Sequence, residues 1–423
     1  TAASNVDVAN ILGANITVNH TANALVAPTT SQVSNVSSGS TLTMGTSITG
    51  TSTITVKTGS TGVTINAGAS ELTVGSSGGN GNLDGVTVNG GTSTTMTVNL
   101  QTTDKNITVN GGSGAGTQTV DFEQATGVSF TSGAASTTVV GTDMLTGTIT
   151  VGRTGTTATP TVVNIDGSEK AGTTDAATLS AAGVITLDAR GAGNEQVETL
   201  NLSGSTAAVT YNISATDAPT SIVMSGSQNV TVAGTDAQLA ALGGAAATLT
   251  ISEASGTTGT TTVKMTDIAS TAAARDFSSI GADVIESAGD PTQAGQTFTF
   301  ANNATLKIST ADHTKTMTLD VTDGSGTTTL STGAITLDLA KDLTGVVTIE
   351  GTADLLSTVN ITASAVQSAL DIRGGTQADI NISGASNVTT AATITSKHIN
   401  GSAMTGNLAT TVGTGGANLK ATG

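Results

Sequence analysis

From residue 52 onward the chain alternates apolar and polar residues in short runs, and a cluster of Gly, Ser or Asn closes nearly every run. The pattern reads STITVKT (52–58), GVTINAG (62–68), ELTVGS (71–76), GVTVNGG (85–91), TTMTVNL (94–100), KNITVNGG (105–112), TQTVDF (117–122) and GVSFTSG (127–133). Successive side chains of a β-strand point to opposite faces, so alternation of this kind specifies half-buried strands. Ile54, Val56, Val63, Ile65, Leu72, Val74, Val86, Val88, Val98, Ile107 and Val109 then form one apolar set. The runs recur about every 10 residues, with Gly, Ser or Asn between them.

Two all-β architectures give this rhythm. A β-solenoid, or parallel β-helix, stacks short parallel strands on a narrow aliphatic core. Tandem β-sandwich domains use the same alternation in antiparallel hairpins, but they commonly bury large aromatic side chains. Aromatics are 1% of the 423 residues, with no Trp and one Tyr, while Gly contributes 53. The small side chains and glycine corners predict a β-solenoid of Thr/Val/Gly-rich strands, with tandem sandwiches as the alternative.

The rhythm continues through VITLDAR (184–190), VETLNLSG (197–204), NVTVAG (229–234), KTMTLDVT (315–322), AITLDLA (334–340) and TVNITAS (358–364). Two segments interrupt it. Thr235-Asp236 before AQLAAL resembles an N-cap, and DIASTAAARDFSSI (267–280) has helical composition, so short helical insertions are expected near 235–243 and 267–280. The stretch 285–295 is the expected boundary between a first strand-rich region (1–285) and a second (295–423). The abrupt start at Thr1, with no signal peptide, suggests a piece of a longer protein.

Charge narrows the function classes. Thirty acidic against 13 basic residues leave a net charge of −17, the wrong sign for binding nucleic acid. No apolar run approaches the ~20 residues of a spanning helix, so membrane insertion is not expected. Without Cys there is neither a disulfide nor a thiolate metal site. Gly75 to Gly79 formally fits G-x-S-x-G, a chance match in a Gly/Ser-rich chain lacking the strand-to-helix context of a nucleophile elbow. His20, His313 and His398 are far apart in sequence. Thr-rich faces would suit ice binding only in T-x-T columns of fixed period, and TITVKT and TMTVNL are too irregular for that.

Acidic turns are the remaining candidates. GGNGNLDG (78–85) approaches the calcium repeat G-G-x-G-x-D-x-U-x, with Leu83 where the Asp belongs and Asp84 one place late. Asn80, Asn82 and Asp84 are candidate Ca²⁺ ligands, since the ion accepts amide, carbonyl and carboxylate oxygens in flexible geometry. Asp166 in NIDGSEK, Asp320 and Asp323 in DVTDGSG, and Asp379 are further metal candidates. Their alternative reading is an Asx turn, in which the carboxylate bonds its own backbone.

VETLNLSG (197–204), the degenerate glycine turns GGNGNLDG (78–85), NGGSGAG (110–116) and RGGTQAD (373–379), and the C-terminal HINGSAMTGNLATTVGTGGANLKATG (398–423) carry a family likeness. Together they resemble the type-I-secreted, RTX-related surface-layer (S-layer) proteins of Gram-negative bacteria. The resemblance implies a β-solenoid, an extracellular location on the bacterial cell surface, calcium-dependent assembly, and self-association into a two-dimensional lattice. Contact with cell-surface polysaccharide would run through regions outside this chain. Gly116 occupies the Asp position of the second turn, and Gln377 replaces a glycine in the third. The expected function is therefore structural and non-enzymatic. A secreted adhesin stalk is the alternative, and a β-helical polysaccharide-degrading enzyme ranks third.

Overall fold

In the computed structural model, the described residues are 4–7, 13–18, 30–45, 48, 50–68, 71–76, 81–93, 95–101, 103–112, 117–121, 125, 127–132, 137–141, 149–153, 161–166, 176–188, 198–214, 219–240, 242–244, 248–267, 274–289, 294–310, 312–322, 333–350, 356–373, 375–391, 394, 396–410 and 418–420. They form a β-solenoid of parallel strands rather than sandwiches. The chain divides into two compact units, Thr1–Val230 with Ala254–Gly259 and Thr231–Glu253 with Thr260–Gly423.

In the first unit, as far as Ile149–Arg153, each strand pairs with the strand two places along the chain, giving two parallel stacks. One runs through Asn15–Val18, Thr41–Met44, Thr64–Asn66, Thr87–Asn89, Thr108–Asn110, Ser129–Ser132 and Ile149–Arg153. The other contains Thr30–Val36, Thr51–Val56, Glu71–Ser76, Met96–Asn99, Gln118–Asp121, Thr137–Gly141 and Thr161–Asp166. Both stacks meet on Ala176–Asp188, which continues them onto Thr199–Ile213. The first half of Ala176–Asp188 pairs with Ile149–Arg153 and its second with Thr161–Asp166, and the register shifts in its pairing with the next strand at Ala181/Gly183. The apolar set read from the alternation is fully buried, from Ile54 to Val109. Tyr211 is buried too, its hydroxyl donating to the Ser203 carbonyl at 2.8 Å.

The spatial period is stricter than the sequence period. Leu42, Ile65, Val88, Val109 and Phe130 form one core column, with steps of 23, 23, 21 and 21 residues and no bulge. Loops of different length absorb the drift at the corners. One corner keeps a left-handed backbone in successive coils, at Gly62 (φ 63°), Gly85 (φ 66°), Asn106 (φ 54°) and Gly127 (φ 66°). Asn is the side-chain-bearing residue that enters this region most readily, which explains its place in the glycine column. The same register aligns the outward residues. Thr41, Thr64, Thr87 and Thr108 make one column, and Thr43, Asn66, Asn89 and Asn110 make the next.

The second unit repeats the scheme with different side chains. Val284–Ser287, Thr305–Ile308, Gly333–Leu339, Leu356–Ala363, Gly375–Gly384, Ser396–Met404 and Asn418–Lys420 form one parallel stack. Ala274–Asp276, Gln296–Ala301, Met317–Thr322, Val346–Glu350 and Gln367–Arg373 lie in the other. Its core holds an aromatic group, Phe277 against Phe298 and Phe300 at centroid distances of 6.0 and 5.6 Å.

The two expected helices are corrections, since no helix occurs among the described residues. Near 235–243 only one turn forms. Thr235 and Gln238 bond reciprocally, side chain to backbone, as a capping box, and the Leu239 N–H donates to the Thr235 carbonyl at 3.0 Å. Ala240 then turns left-handed at φ 50°, while Leu239 and Leu242 are buried, so core packing overrides the local helix preference. In 267–280, residues 268–273 lie outside the described residues, and Ala274–Asp276 is a strand paired with Gln296–Ala301. Around the expected 285–295 boundary, Val284–Ser287 is a paired strand, and 290–293 lie outside the described residues.

Candidate functional site

The GGNGNLDG stretch is a solenoid corner from Gly81 onward, and the next coil supplies the groups that organise it. Asp104 is buried, and its carboxylate accepts the Leu83 N–H at 2.8 Å and the Gln101 N–H at 2.9 Å. A Cβ at Gly81 would overlap this carboxylate, which accounts for glycine there. Leu83, in the place of the calcium-repeat Asp, points into the core. Asp84 forms a parallel bridge between Thr61 and Lys105. Its oxygens are met by the Asn106 amide at 2.8 Å and the Lys105 ammonium at 3.4 Å.

These partners act in opposite senses on the two acids. The Asn106 amide, and then the charge and hydrogen bond of Lys105, hold the Asp84 carboxyl below the usual range despite some desolvation. Burial pushes Asp104 up, against the two backbone N–H bonds that favour its ionised form. The corner thus aims N–H donors at both carboxylates. Asp104 had no motif to reveal it. Its one legible mark is the TTDKN turn composition.

The other sequence candidates are dispersed. Asn82 shares the corner with Asp84, but its N–H donates to the Thr103 hydroxyl at 2.9 Å. Asp166 ends Thr161–Asp166, its backbone beside Gly141. Asp320 lies in Met317–Thr322 between Thr299 and Glu350. Asp379 is within Gly375–Gly384, so the expected turn RGGTQAD is largely strand, and it contacts His398 Nδ1 at 2.6 Å with both side chains about half exposed. Asn80 and Asp323 lie outside the described residues. Among the described residues no three His or acidic side chains converge as a metal-ligating group.

Three polar clusters in the second unit escaped the sequence reading because their members are separated by coils. Arg275, 4% exposed, pairs with Asp236 at 2.6 Å and donates to the Leu242 carbonyl at 3.1 Å, while Asp267 accepts the Asp236 N–H. Ser287 lies 3.1 Å from His313 Nε2 and donates to the Gly289 carbonyl. Glu286 is held by Lys264 at 2.6 Å, Ser309 at 2.5 Å and Lys307 at 3.8 Å. Burial raises its pKa, and the Lys264 and Ser309 hydrogen bonds with the two lysine charges outweigh it, so its carboxyl sits low. Comparison with protein-family models, curated proteins and solved structures finds no match for this chain. What the geometry offers is repetition: outward polar columns that extend from coil to coil.

Proposed function

We propose that this chain is a structural segment of a bacterial surface layer, located outside the cell and assembling side by side into a two-dimensional lattice. The observation that carries the reading is the regular outward array of the first unit, where loop-length drift is removed at the corners and side chains recur in register coil after coil. A periodic surface suits a periodic partner. The resemblance of VETLNLSG and of the glycine turns to RTX-related surface-layer chains points the same way.

Calcium enters the proposal as a bridge between acidic side chains of neighbouring copies, a role the net charge of −17 makes useful because it reduces repulsion. Negative-stain electron microscopy of the protein dialysed into millimolar calcium, and separately into chelator, tests both parts. Ordered sheets only with calcium support the whole reading. Sheets in both conditions remove the ion and keep the lattice. Isolated particles in both overturn the lattice and favour the adhesin alternative.

A further inference from the structure

We infer that the outward face of the first stack in the first unit, from Asn15–Val18 to Ser129–Ser132, is the surface through which one copy of this chain meets a second. The inference rests on the lattice reading above and names the face that makes the contact. Three observations select it.

The first is charge. The six strands read NITV, TLTM, TIN, TVN, TVN and SFTS, without an ionisable residue, in a chain of net charge −17. The other stack of the same coils carries Glu71 and Asp121 at outward positions. Two acidic molecules repel on approach, and a neutral face lowers that cost.

The second is the state of the asparagines. Asn110 donates to Asn89 at 2.8 Å, Asn89 to Asn66 at 2.8 Å, and Asn66 to the Thr43 hydroxyl at 3.2 Å. Each amide meets part of its hydrogen-bonding demand along the column. Covering the face therefore strips less water from unsatisfied polar groups than covering isolated Asn side chains would. The remaining donors, acceptors and Thr hydroxyls are available to a partner.

The third is spacing. Adjacent strands are about 4.8 Å apart, and outward residues along a strand about 7 Å apart. A second copy has the same spacings by construction, so contacts made at one coil recur at the next. Six strands offer on the order of 300 Å² per copy, below the ~800 Å² per partner of a stable standard interface. The pairwise contact is accordingly weak, and a lattice strengthens it through repetition.

The test compares two triple variants of equal added charge. Thr64→Glu/Thr87→Glu/Thr108→Glu charges the proposed face, and Thr73→Glu/Thr97→Glu/Thr119→Glu charges the other stack in neighbouring coils. Self-association is followed by sedimentation equilibrium and by sheet formation, with circular dichroism checking the fold. The face variant is expected to weaken association by at least about tenfold, the control by less than about twofold. Mixing the Glu face variant with Thr64→Lys/Thr87→Lys/Thr108→Lys should restore association, which a misfolded variant cannot do. Equal losses in face and control variants, or no loss in either, overturn the assignment. If wild-type sheets form and the face variant assembles normally, the lattice stands and only this face falls. A wild type that remains monomeric at high concentration, or is retained on insoluble glycan or ice without self-associating, overturns this inference, and persistent monomers overturn the lattice as well.

Discussion

The two units build one fold with different outward chemistry. In the first, a column repeats like residues, Asn66, Asn89 and Asn110, each donating to its neighbour. In the second, Lys264, Glu286, Lys307 and Asp338 are successive register partners, so the column alternates in sign. The difference follows from parallel stacking, which brings equivalent positions to about 4.8 Å. An amide has both donor and acceptor and can sit beside its own kind, whereas a charge beside its own kind repels. The second unit also has an asparagine ladder, Asn360, Asn381 and Asn400, but a neighbouring column carries Asp379 and His398. The charged columns are largely satisfied within the unit, and the neutral column of the first unit carries the contact proposed above.

The largest expected effect tests whether the second unit depends on its buried charge. Arg275→Met should destabilise it by about 3–5 kcal/mol, because Asp236 is left 13% exposed without its partner. Hydrogen exchange should place the loss around Ala274–Asp276 and 235–240. Protection changes confined to the first unit would break the comparison. Asp104→Ala should cost the first unit about 1–3 kcal/mol by leaving the Leu83 and Gln101 N–H groups without their acceptor, measured by denaturant unfolding.

Asn89→Ala removes two ladder bonds and should cost about 1–2 kcal/mol, with Asn89→Asp at least as harmful because a carboxylate cannot donate to Asn66. If Asn89→Ala is neutral, the ladder follows from the register rather than supporting it. The smallest effect is in pH dependence. Glu286 titrates below its unfolded value, so its contribution is present above the usual glutamate range and is lost as pH falls through the lower folded value. Asp104 titrates above its unfolded value, so its contribution grows as pH falls through the raised folded value. Glu286→Gln should therefore flatten acid destabilisation of the second unit, and Asp104→Asn should remove an acid gain from the first, both read from melting temperature between neutral and acidic pH.

Alternation alone identified the chain as strand-rich and showed which residues of the runs face inward, because a strand's side-chain period is 2 whatever its partners. That is why Ile54, Val56, Ile65 and Val88 could be placed in the core from the sequence. The solenoid was favoured by the scarcity of aromatics, but parallel pairing itself is a tertiary fact, since hairpins obey the same alternation. The ice-binding objection shows the limit of linear period. TITVKT and TMTVNL look irregular in the chain, yet Thr53, Thr73, Thr97 and Thr119 stand in one column once corners absorb unequal loops. The candidate site followed the same division. Asp84 was legible as an acid in a glycine turn, while Lys105 and Asn106, about 20 residues away, determine what that acid meets, and Asp104 from the same coil holds the Leu83 N–H beside it. In a solenoid the nearest neighbours of a side chain lie one coil distant, so residue types can be read along the sequence, but their partners are decided by the stacking.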